Sequence, residues 1–264
     1  MGSGWARLPG YFLSQHPQRT PGWHAHRRGR LTASTAGKTS GLSPYDHSRE
    51  AKMKLARQIL GLEPPLVPNA AMVYGNDGEA PLRRWFEERL ALAGRRKVVI
   101  REAGLAVPDT ATWVGASCDG EIWRAAGTWS DSEMTSNEIV EFKRPRKMYP
   151  ELLERQQRGA LTGPKIRVDH YAQMQLTAYI TRKEYVWYVV APGEGKDLSV
   201  KLCYTERLPL DVAFVEDELL PGMRSFYVEF MLPLITADPL LLRESILPHD
   251  NDDRTIKEEE EQSS

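Results

Sequence analysis

Apolar residues recur every three or four positions in five parts of the chain, a spacing that places them on one side of a helix. The helices predicted in this way cover residues 48–61, 69–92, 148–159, 170–183 and 211–232. Gly61 is a typical helix end, and a shorter helix is expected over 32–39, where threonine and serine suit capping positions. The last helix carries an apolar stripe that is expected to pack on a sheet: Val212, Val215, Leu219, Met223, Phe226 and Phe230.

Between these helices apolar and polar residues alternate, as they do in strands. Residues 97–143 predict three or four strands joined by short turns, and residues 184–206 predict two more, separated by a turn at Pro192 and Gly193. Residues 1–22 are rich in glycine and proline and are expected to run over the surface. The order of helices, a strand meander, helices, two strands and a helix predicts a mixed α/β fold, in which helices flank a central mixed sheet.

Composition narrows the class of protein. The chain has 264 residues, 41% of them hydrophobic and 27% charged, which fits one large globular domain or two small ones and excludes disorder along the whole length. No segment approaches the roughly 18 consecutive apolar residues of a membrane span, and the first residues lack the apolar stretch of a secretory signal. Cys118 and Cys203 are too few for a disulfide scaffold or a four-thiolate metal cluster. We therefore expect an intracellular protein, in the cytoplasm of a bacterial host or in a nucleus if its origin is eukaryotic.

The net charge of −1 hides an uneven distribution. Residues 1–45 contain six lysine and arginine residues and no aspartate or glutamate, whereas residues 250–264 contain seven acidic residues and two basic ones. Residues 1–249 therefore carry a net charge of +4. A basic N-terminal region favours a phosphate-bearing partner, although a solvated basic arm has the same composition. The acidic segment 250–264 is expected to be disordered.

Three charged residues in the alternating region have the chemistry that phosphodiester hydrolysis requires. Asp119 ends a β run before Gly120, and about twenty residues later Glu141 and Lys143 form a Glu-x-Lys pair. Residues two apart on a strand point to the same face, and a hairpin returning from Asp119 would place its carboxylate beside them. Mg²⁺ prefers oxygen ligands, and a bound metal activates water and neutralises charge on the phosphodiester, while the lysine orients or helps to deprotonate that water. Each motif alone also fits a turn or a surface ion pair, but the combination favours a metal-dependent nuclease.

Four sequence blocks point to a known family. They are WHAHRRGRLTAS (23–34), YGNDGEAPLRRWFE (74–87), GASCDG (115–120) with NEIVEFKRP (137–145), and HYAQMQLTAYITRK (170–183). In this order the blocks resemble the PD-(D/E)xK nuclease superfamily and, within it, the lambda-exonuclease-like, YqaJ-type viral recombinase family. The resemblance covers about residues 20–190. It implies a restriction-endonuclease-like core and a single nuclease domain over 1–249, with the helix at about 210–232 packed on it.

The resemblance also implies catalytic residues. Asp119 and Glu141 would ligate Mg²⁺, for which Mn²⁺ is expected to substitute, and the Phe142 backbone carbonyl would be a further ligand. Lys143 would lie against the attacking water. Glu79 would bind a second metal, directly or through water, or would position the nucleophile.

Further positions match residues that the family uses around the site. Gln173 and Gln175 match helix glutamines near the active site, and Gln175 with Tyr179 fits a Q-x-x-x-Y pattern of related nucleases. Residues that match the binding site for the 5′-phosphate end are Arg27 and Ser34, to which Arg28 would add general electrostatic attraction. A guanidinium and a helix N-terminus together would make an anion site. Cys118 stands where the family usually has proline, and the link 124–136, which contains Trp129, is unusually long.

The implied activity is Mg²⁺-dependent removal of nucleotides from the 5′ end of double-stranded DNA, which leaves 3′ single strands for recombination. A homotrimeric ring and a single-strand annealing protein as partner are implied as well, and no membrane association. The residues themselves support only metal-dependent phosphodiester hydrolysis. An endonuclease, an RNA-degrading nuclease and a catalytically inactive DNA-end-binding module remain alternatives. Iron–sulfur chemistry is disfavoured by the two cysteines, and Rossmann or P-loop chemistry by the lack of either glycine motif.

Overall fold

A computed structural model describes residues 4–44, 47–64, 70–126, 134–192 and 203–238, with the backbone alone for residues 70–77. The predicted turn at Gly193, the middle of the link 124–136 with Trp129, and the acidic segment 250–264 lie outside the described residues. Within the described ranges, no helix has the length and apolar composition that crossing a bilayer requires.

The predicted helices are present, with shifts of a few residues at their ends. Residues 97–143 form five strands where three or four were expected, and the last strand predicted within 184–206 is described from residue 204. In chain order the elements are β1 (Trp5–Leu8), β2 (Tyr11–Ser14), α1 (Pro21–Arg27), β3 (Leu31–Thr32), a 3-10 turn (Ala33–Thr35), α2 (Ala36–Thr39), α3 (Arg49–Ile59), α4 (Ala70–Gly94), β4 (Val98–Arg101), β5 (Ala106–Pro108), β6 (Val114–Gly115), β7 (Gly120–Ala125), β8 (Met134–Lys143), α5 (Pro150–Arg158), α6 (Val168–Ile180), β9 (Tyr185–Val190), β10 (Tyr204–Pro209), and a C-terminal helix in which π-helical turns (Phe214–Leu219 and Tyr227–Met231) alternate with α7 (Leu220–Phe226) and α8 (Leu232–Ala237).

The central sheet has five strands in the order β10-β9-β8-β7-β4. Strands β8 and β9 run parallel, whereas the other neighbouring strands are antiparallel. The sheet is therefore mixed, as predicted. Strand β8 lies in its middle, and its residues 138–142 are all buried.

Helical layers cover both faces of this sheet. Helix α4 covers one face through a cluster formed by Leu82, Phe86, Leu90, Val98, Ile100, Ile122, Val140 and Phe142. Helices α5 and α6 cover the other face through Ile139, Leu152, Met174, Ala178, Val186 and Tyr188. Because side chains alternate along a strand, β8 directs Val140 and Phe142 toward α4 and the intervening Glu141 toward α6.

The N-terminal segment is not the irregular surface chain that we expected. Strands β1 and β2 form a hairpin, and β2 pairs with β5 in a separate three-stranded sheet. Pro9 and Gly10 form the turn, in which Gly10 has a φ of 83° that only glycine adopts without strain. The glycine and proline content therefore marks a hairpin turn between two short strands.

The C-terminal helix also differs from the expectation, because it does not pack on the central sheet. Its buried stripe packs in a second hydrophobic core, which it shares with α2, α3, α6 and strands β3, β5 and β6. The residues of this core include Leu31, Ala36, Leu60, Ala106, Val114, Leu176, Ile180, Val215, Leu219, Met223, Phe226 and Phe230. Val212 is outside this stripe and 44% exposed. Periodicity identifies which face of a helix is buried, but any apolar surface can cover that face.

Candidate active site

The pairing of β7 with β8 places Asp119 beside Glu141. Asp119 immediately precedes β7, and Gly120 pairs with Val140 in the antiparallel register. The backbone N–H of Phe142 donates to Asp119 Oδ2 at 2.7 Å, which fixes the carboxylate at the end of β8. Gly120 serves close strand packing, since a Cβ there would lie 2.3 Å from Ile100 Cγ2.

Glu141 and Lys143 lie on one face of β8, as the alternation predicts. Lys143 Nζ donates to Glu141 Oε1 at 2.7 Å and to Gln173 Oε1 at 2.9 Å, and Gln173 Nε2 donates to Glu141 Oε1 at 2.6 Å. Helix α6 thus supplies Gln173 to the same group. We call Asp119, Glu141, Lys143 and Gln173 the carboxylate cluster.

Burial dominates the electrostatics of the carboxylate cluster. It raises the pKa of Asp119 well above its usual range, and the charges of Glu141 and Glu79 raise it further. Burial also raises the pKa of Glu141, although Lys143 opposes the shift. For Lys143, burial by itself lowers the pKa, but Glu141 and Asp119 outweigh it and raise the value. Two buried carboxylates with a single ammonium therefore form a site that favours an additional cation.

The donor set of the carboxylate cluster fits a hard divalent cation. In the described part of the chain, the hydrogen bonds engage one oxygen of each carboxylate, Asp119 Oδ2 and Glu141 Oε1. The second oxygen of each carboxylate is therefore available to ligate a metal ion. Mg²⁺ is commonly held by one or two carboxylates together with water and substrate phosphate. Nowhere among the described residues do three His, Cys, Asp or Glu side chains converge on one point. The role of the Phe142 carbonyl stays a prediction.

Glu79 lies near the cluster, but two arginines hold its carboxylate. The residue is 8% exposed on α4, and its charge acts on Asp119 and Glu141. Arg19 pairs with Glu79 Oε2, and Arg83 Nη2 donates to Oε1 at 3.0 Å. Neither arginine was predicted from the sequence. Arg83 stands four residues after Glu79, a spacing typical of helical ion pairs, whereas no sequence pattern links Arg19 to Glu79.

Arg144 is a third basic residue at this end of the site that was not predicted from the sequence. Its guanidinium runs through the space beside Gly78, where a Cβ would lie 1.9 Å from Arg144 Nη1. Because Gly78 has no side chain, the side chain of Arg144, the residue after Lys143, can pass α4 next to Glu79. The position of Arg144, one residue after the Glu-x-Lys pair, is the sequence feature that could have indicated it.

Gln175 does not join the carboxylate cluster. Its amide donates to the Pro209 carbonyl at 3.1 Å and accepts from Asp211 N at 2.7 Å, and Tyr179 OH donates to Glu216 at 2.8 Å. Two residues apart on a helix means about 200° of rotation, so Gln173 and Gln175 cannot face the same site. The Q-x-x-x-Y pattern lies on the opposite side of α6, where Gln175 connects the end of β10 to the C-terminal helix.

Arg27 and Ser34 come together as predicted. Arg27 Nη2 donates to Ser34 Oγ at 3.2 Å and to Thr32 Oγ1 at 3.1 Å, and the two hydroxyl oxygens are 3.1 Å apart. The guanidinium stacks over Trp23 at 4.2 Å from the ring centre. Burial lowers the pKa of Arg27 to about 10, so the side chain stays charged at neutral pH. We call Arg27, Thr32 and Ser34 the arginine cluster.

Two expectations about this region need correction. The helix after Ser34 is a 3-10 turn followed by the four-residue α2, too short for the expected helix N-terminal anion site, so side chains are the donors. Arg28 points elsewhere: its Nε would be 3.1 Å from a Cβ on Gly61, at the end of α3. Thr32 was not predicted as a site residue.

The arginine cluster is tied to the strand that carries Asp119. Trp23 Nε1 on α1 donates to Ser117 Oγ at 3.1 Å, and Gln18 Nε2 donates to the carbonyls of Ala103 and Cys118, each at 2.8 Å. Ser117 and Cys118 are the two residues before Asp119. The position of α1 is therefore fixed directly against the chain that leads into Asp119 and β7.

Comparisons with known proteins bear on the family and the fold. The family model described as the YqaJ-like viral recombinase domain matches residues 22–184. The alkaline exonuclease LHK-Exo from Laribacter hongkongensis has a similar structure, with a TM-score of 0.55, 20% sequence identity, and coverage of 84% of this chain and 100% of that chain. LHK-Exo in complex with dAMP gives a TM-score of 0.60 at 20% identity, over 85% of this chain and 99% of that chain. These likenesses show the restriction-endonuclease-like fold. No curated protein matches the sequence.

Proposed function

The chain belongs to the YqaJ-like viral recombinase family, and on that premise we propose that it is a Mg²⁺-dependent exonuclease that degrades double-stranded DNA from a 5′ end and leaves 3′ single strands for recombination. The observation that carries the proposal is the carboxylate cluster, in which Asp119, Glu141, Lys143 and Gln173 meet at the ends of β7 and β8 and on α6. The exonuclease activity named for LHK-Exo supports the same assignment.

Each residue of the carboxylate cluster has a distinct task in this proposal. Asp119 and Glu141 would hold the divalent cation, and the Phe142 N–H keeps the Asp119 carboxylate in place. Lys143 orients the attacking water and stabilises negative charge on the phosphate, while Gln173 holds Lys143 and Glu141 together. A bound Mg²⁺ would neutralise charge on the phosphodiester and make a nearby water a stronger nucleophile.

The arginine cluster supports the proposed 5′ polarity. A terminal phosphate is a dianion near neutral pH, and a guanidinium with two hydroxyl groups offers it several charge-assisted hydrogen bonds. Arg27 is held in place by stacking on Trp23 before any ligand arrives, so little side-chain entropy is lost on binding. A 5′-phosphorylated duplex end is therefore the proposed substrate.

The proposed partners follow from the substrate. Closure of three identical subunits around a duplex would keep the enzyme on its substrate, and such a ring needs heterologous contacts between copies. A single-strand annealing protein would take up the 3′ strand. Sedimentation of the chain at micromolar concentration tests the trimer, and a stable monomer would contradict it.

Digestion of an end-labelled duplex tests the activity, direction and cation together. With Mg²⁺ or Mn²⁺, a 5′-phosphorylated linear duplex should lose nucleotides from its 5′ end, whereas Asp119→Asn should be inactive yet still bind DNA. Asp109→Asn, on an exposed loop, is the matched control and should keep full activity. Cleavage of closed circular DNA or of RNA would instead identify an endonuclease or an RNA-degrading nuclease, and no cleavage with either cation would identify an end-binding module.

A further inference from the structure

Arg19 has an unusual backbone conformation for a non-glycine residue. Its φ is 67°, in the left-handed region, where the described non-glycine residues are Arg19, Arg95 and Arg182. An L-residue with a long side chain is disfavoured there, and such strain persists only when the surroundings hold it. Glycine would adopt this conformation without strain. The presence of arginine therefore indicates that its side chain has a role that offsets the strain.

The residues on both sides of Arg19 hold this conformation. Gln18 donates to the carbonyls of Ala103 and Cys118 at 2.8 Å. Thr20 Oγ1 donates to the Pro17 carbonyl at 2.7 Å and also caps α1 by accepting from Trp23 N at 3.4 Å. The turn is therefore anchored to the chain just before Asp119 on one side and to α1 on the other.

The side chain that emerges from this turn reaches Glu79. The Arg19 guanidinium pairs with Glu79 Oε2, while Arg83 occupies Oε1 at 3.0 Å and also pairs with Glu102 at 3.3 Å. Glu79 is buried, whereas 45% of the Arg19 side chain is exposed. Arg19 thus places a fixed positive charge on a buried carboxylate whose own charge acts on Asp119 and Glu141.

We propose that the Arg19 guanidinium takes the place of a second divalent cation at Glu79, so that this site binds one ion, at Asp119 and Glu141. Both Glu79 oxygens are paired with guanidinium groups, and no three carboxylates of the described chain converge on one point. A guanidinium cannot lose its proton near neutral pH, so its charge is permanent. This inference rests on the proposed function, because it assumes that Asp119 and Glu141 hold an ion.

Counting bound Mn²⁺ on the metal-stripped full chain, without DNA, tests the inference. Equilibrium dialysis or the electron paramagnetic resonance of free Mn²⁺ should give one ion per chain for the wild type, and Asp119→Asn should remove it. Arg19→Gly should bind two ions, because Glu79 Oε2 becomes available and glycine adopts the left-handed φ without strain. Arg19→Gly/Glu79→Gln should return to one, and Arg19→Lys, which keeps the charge, should stay at one.

Arg95→Gly is the matched control, because Arg95 is an exposed arginine with a φ of 48°, and it should bind one ion. If Arg19→Gly does not fold by circular dichroism, Arg19→Gln replaces it with the same expected count of two. Two ions on the wild type, or one ion on a folded Arg19→Gly or Arg19→Gln, would overturn the inference and leave the proposed function intact. A wild type that binds no Mn²⁺ would overturn both.

Discussion

The carboxylate cluster and the arginine cluster are built in opposite ways. The first stands on the interior strands β7 and β8 and on α6, between two apolar layers. The second stands on the seven-residue α1, a two-residue strand and a 3-10 turn. A buried site strengthens electrostatic interactions, whereas a partly exposed one relies on hydrogen-bond geometry and stacking. In the proposed function, chemistry and end recognition therefore reside in separate structures and should be lost separately.

Replacing Lys143 should have the largest effect. Lys143→Met keeps most of the side-chain volume and removes the ammonium that contacts Glu141 and Gln173. We expect kcat on a linear duplex to fall by about 10²–10⁴-fold, the range for loss of a positioned polar catalytic group, with DNA affinity changed little. Lys54→Met on the exposed side of α3 should keep the wild-type rate. A loss of less than tenfold in Lys143→Met would show that the carboxylate cluster is not the reaction centre.

Replacing Arg27 should remove end recognition and leave the chemistry. Arg27→Gln should lower kcat/KM on a 5′-phosphorylated duplex by roughly 10- to 100-fold, because hydrogen bonds to charged groups contribute about 1.5–3 kcal/mol. On a duplex with a 5′-hydroxyl end, the variant and the wild type should be similar. Arg28→Gln, whose side chain points toward Gly61, should keep the preference for phosphate. Equal losses on both substrates would mean that Arg27 only supports the fold.

The two glutamines of α6 should separate activity from stability. Gln175→Ala leaves the Pro209 carbonyl and the Asp211 N–H without their partner, so we expect the free energy of unfolding to fall by about 1–3 kcal/mol. Its kcat should stay near the wild-type value. Gln173→Ala should lower kcat by about tenfold, because a hydrogen bond to a charged group is lost, with little change in stability. Urea titration and end-labelled digestion measure the two effects, and the opposite assignment would restore Gln175 to the site.

Strand periodicity predicts that Asp119, Glu141 and Lys143 lie together, whereas Gln173 was expected there only from the resemblance of sequence blocks. Alternation along β8 places Glu141 and Phe142 on opposite faces of the sheet. The antiparallel pairing of β7 with β8 then places Asp119 beside Glu141. The helical period of α6 could likewise have excluded Gln175, since residues two apart on a helix lie on different faces. The resemblance of sequence blocks implied both glutamines at the site, and the structure places only Gln173 there.

Contacts between distant parts of the chain were not predictable in the same way. The pairing of Arg19 with Glu79 joins residues 60 apart, through a strained turn, and no periodic pattern encodes it. The packing of Phe226 and Phe230 on helices instead of the sheet depends on which apolar surface is left uncovered. In both cases local propensity is satisfied, and tertiary contacts decide the outcome.

The smallest expected effect concerns the attachment of α1, on which the arginine cluster depends. His26 stacks on Trp5 at 4.1 Å, and its Nδ1 lies 2.8 Å from Ser14 Oγ. Burial, helped by His16 and Arg30, lowers its pKa to about 4, below the unfolded value near 6.5. The folded state therefore favours the neutral ring, and the stability that this residue contributes is complete above pH 6.5 and lost as the pH falls toward 4.

Because part of the ring faces water, we expect this loss to be about 1 kcal/mol. Thermal unfolding between pH 7 and pH 4 should show a steeper decrease in Tm for the wild type than for His26→Asn, which cannot titrate in that range. His24→Asn, an exposed change on the same helix, should follow the wild-type curve. If α1 loosens as His26 is protonated, the preference for a 5′-phosphate should weaken over the same pH range in the wild type and less in His26→Asn. Parallel stability curves for the wild type and His26→Asn would mean that protonation of His26 does not affect the attachment of α1.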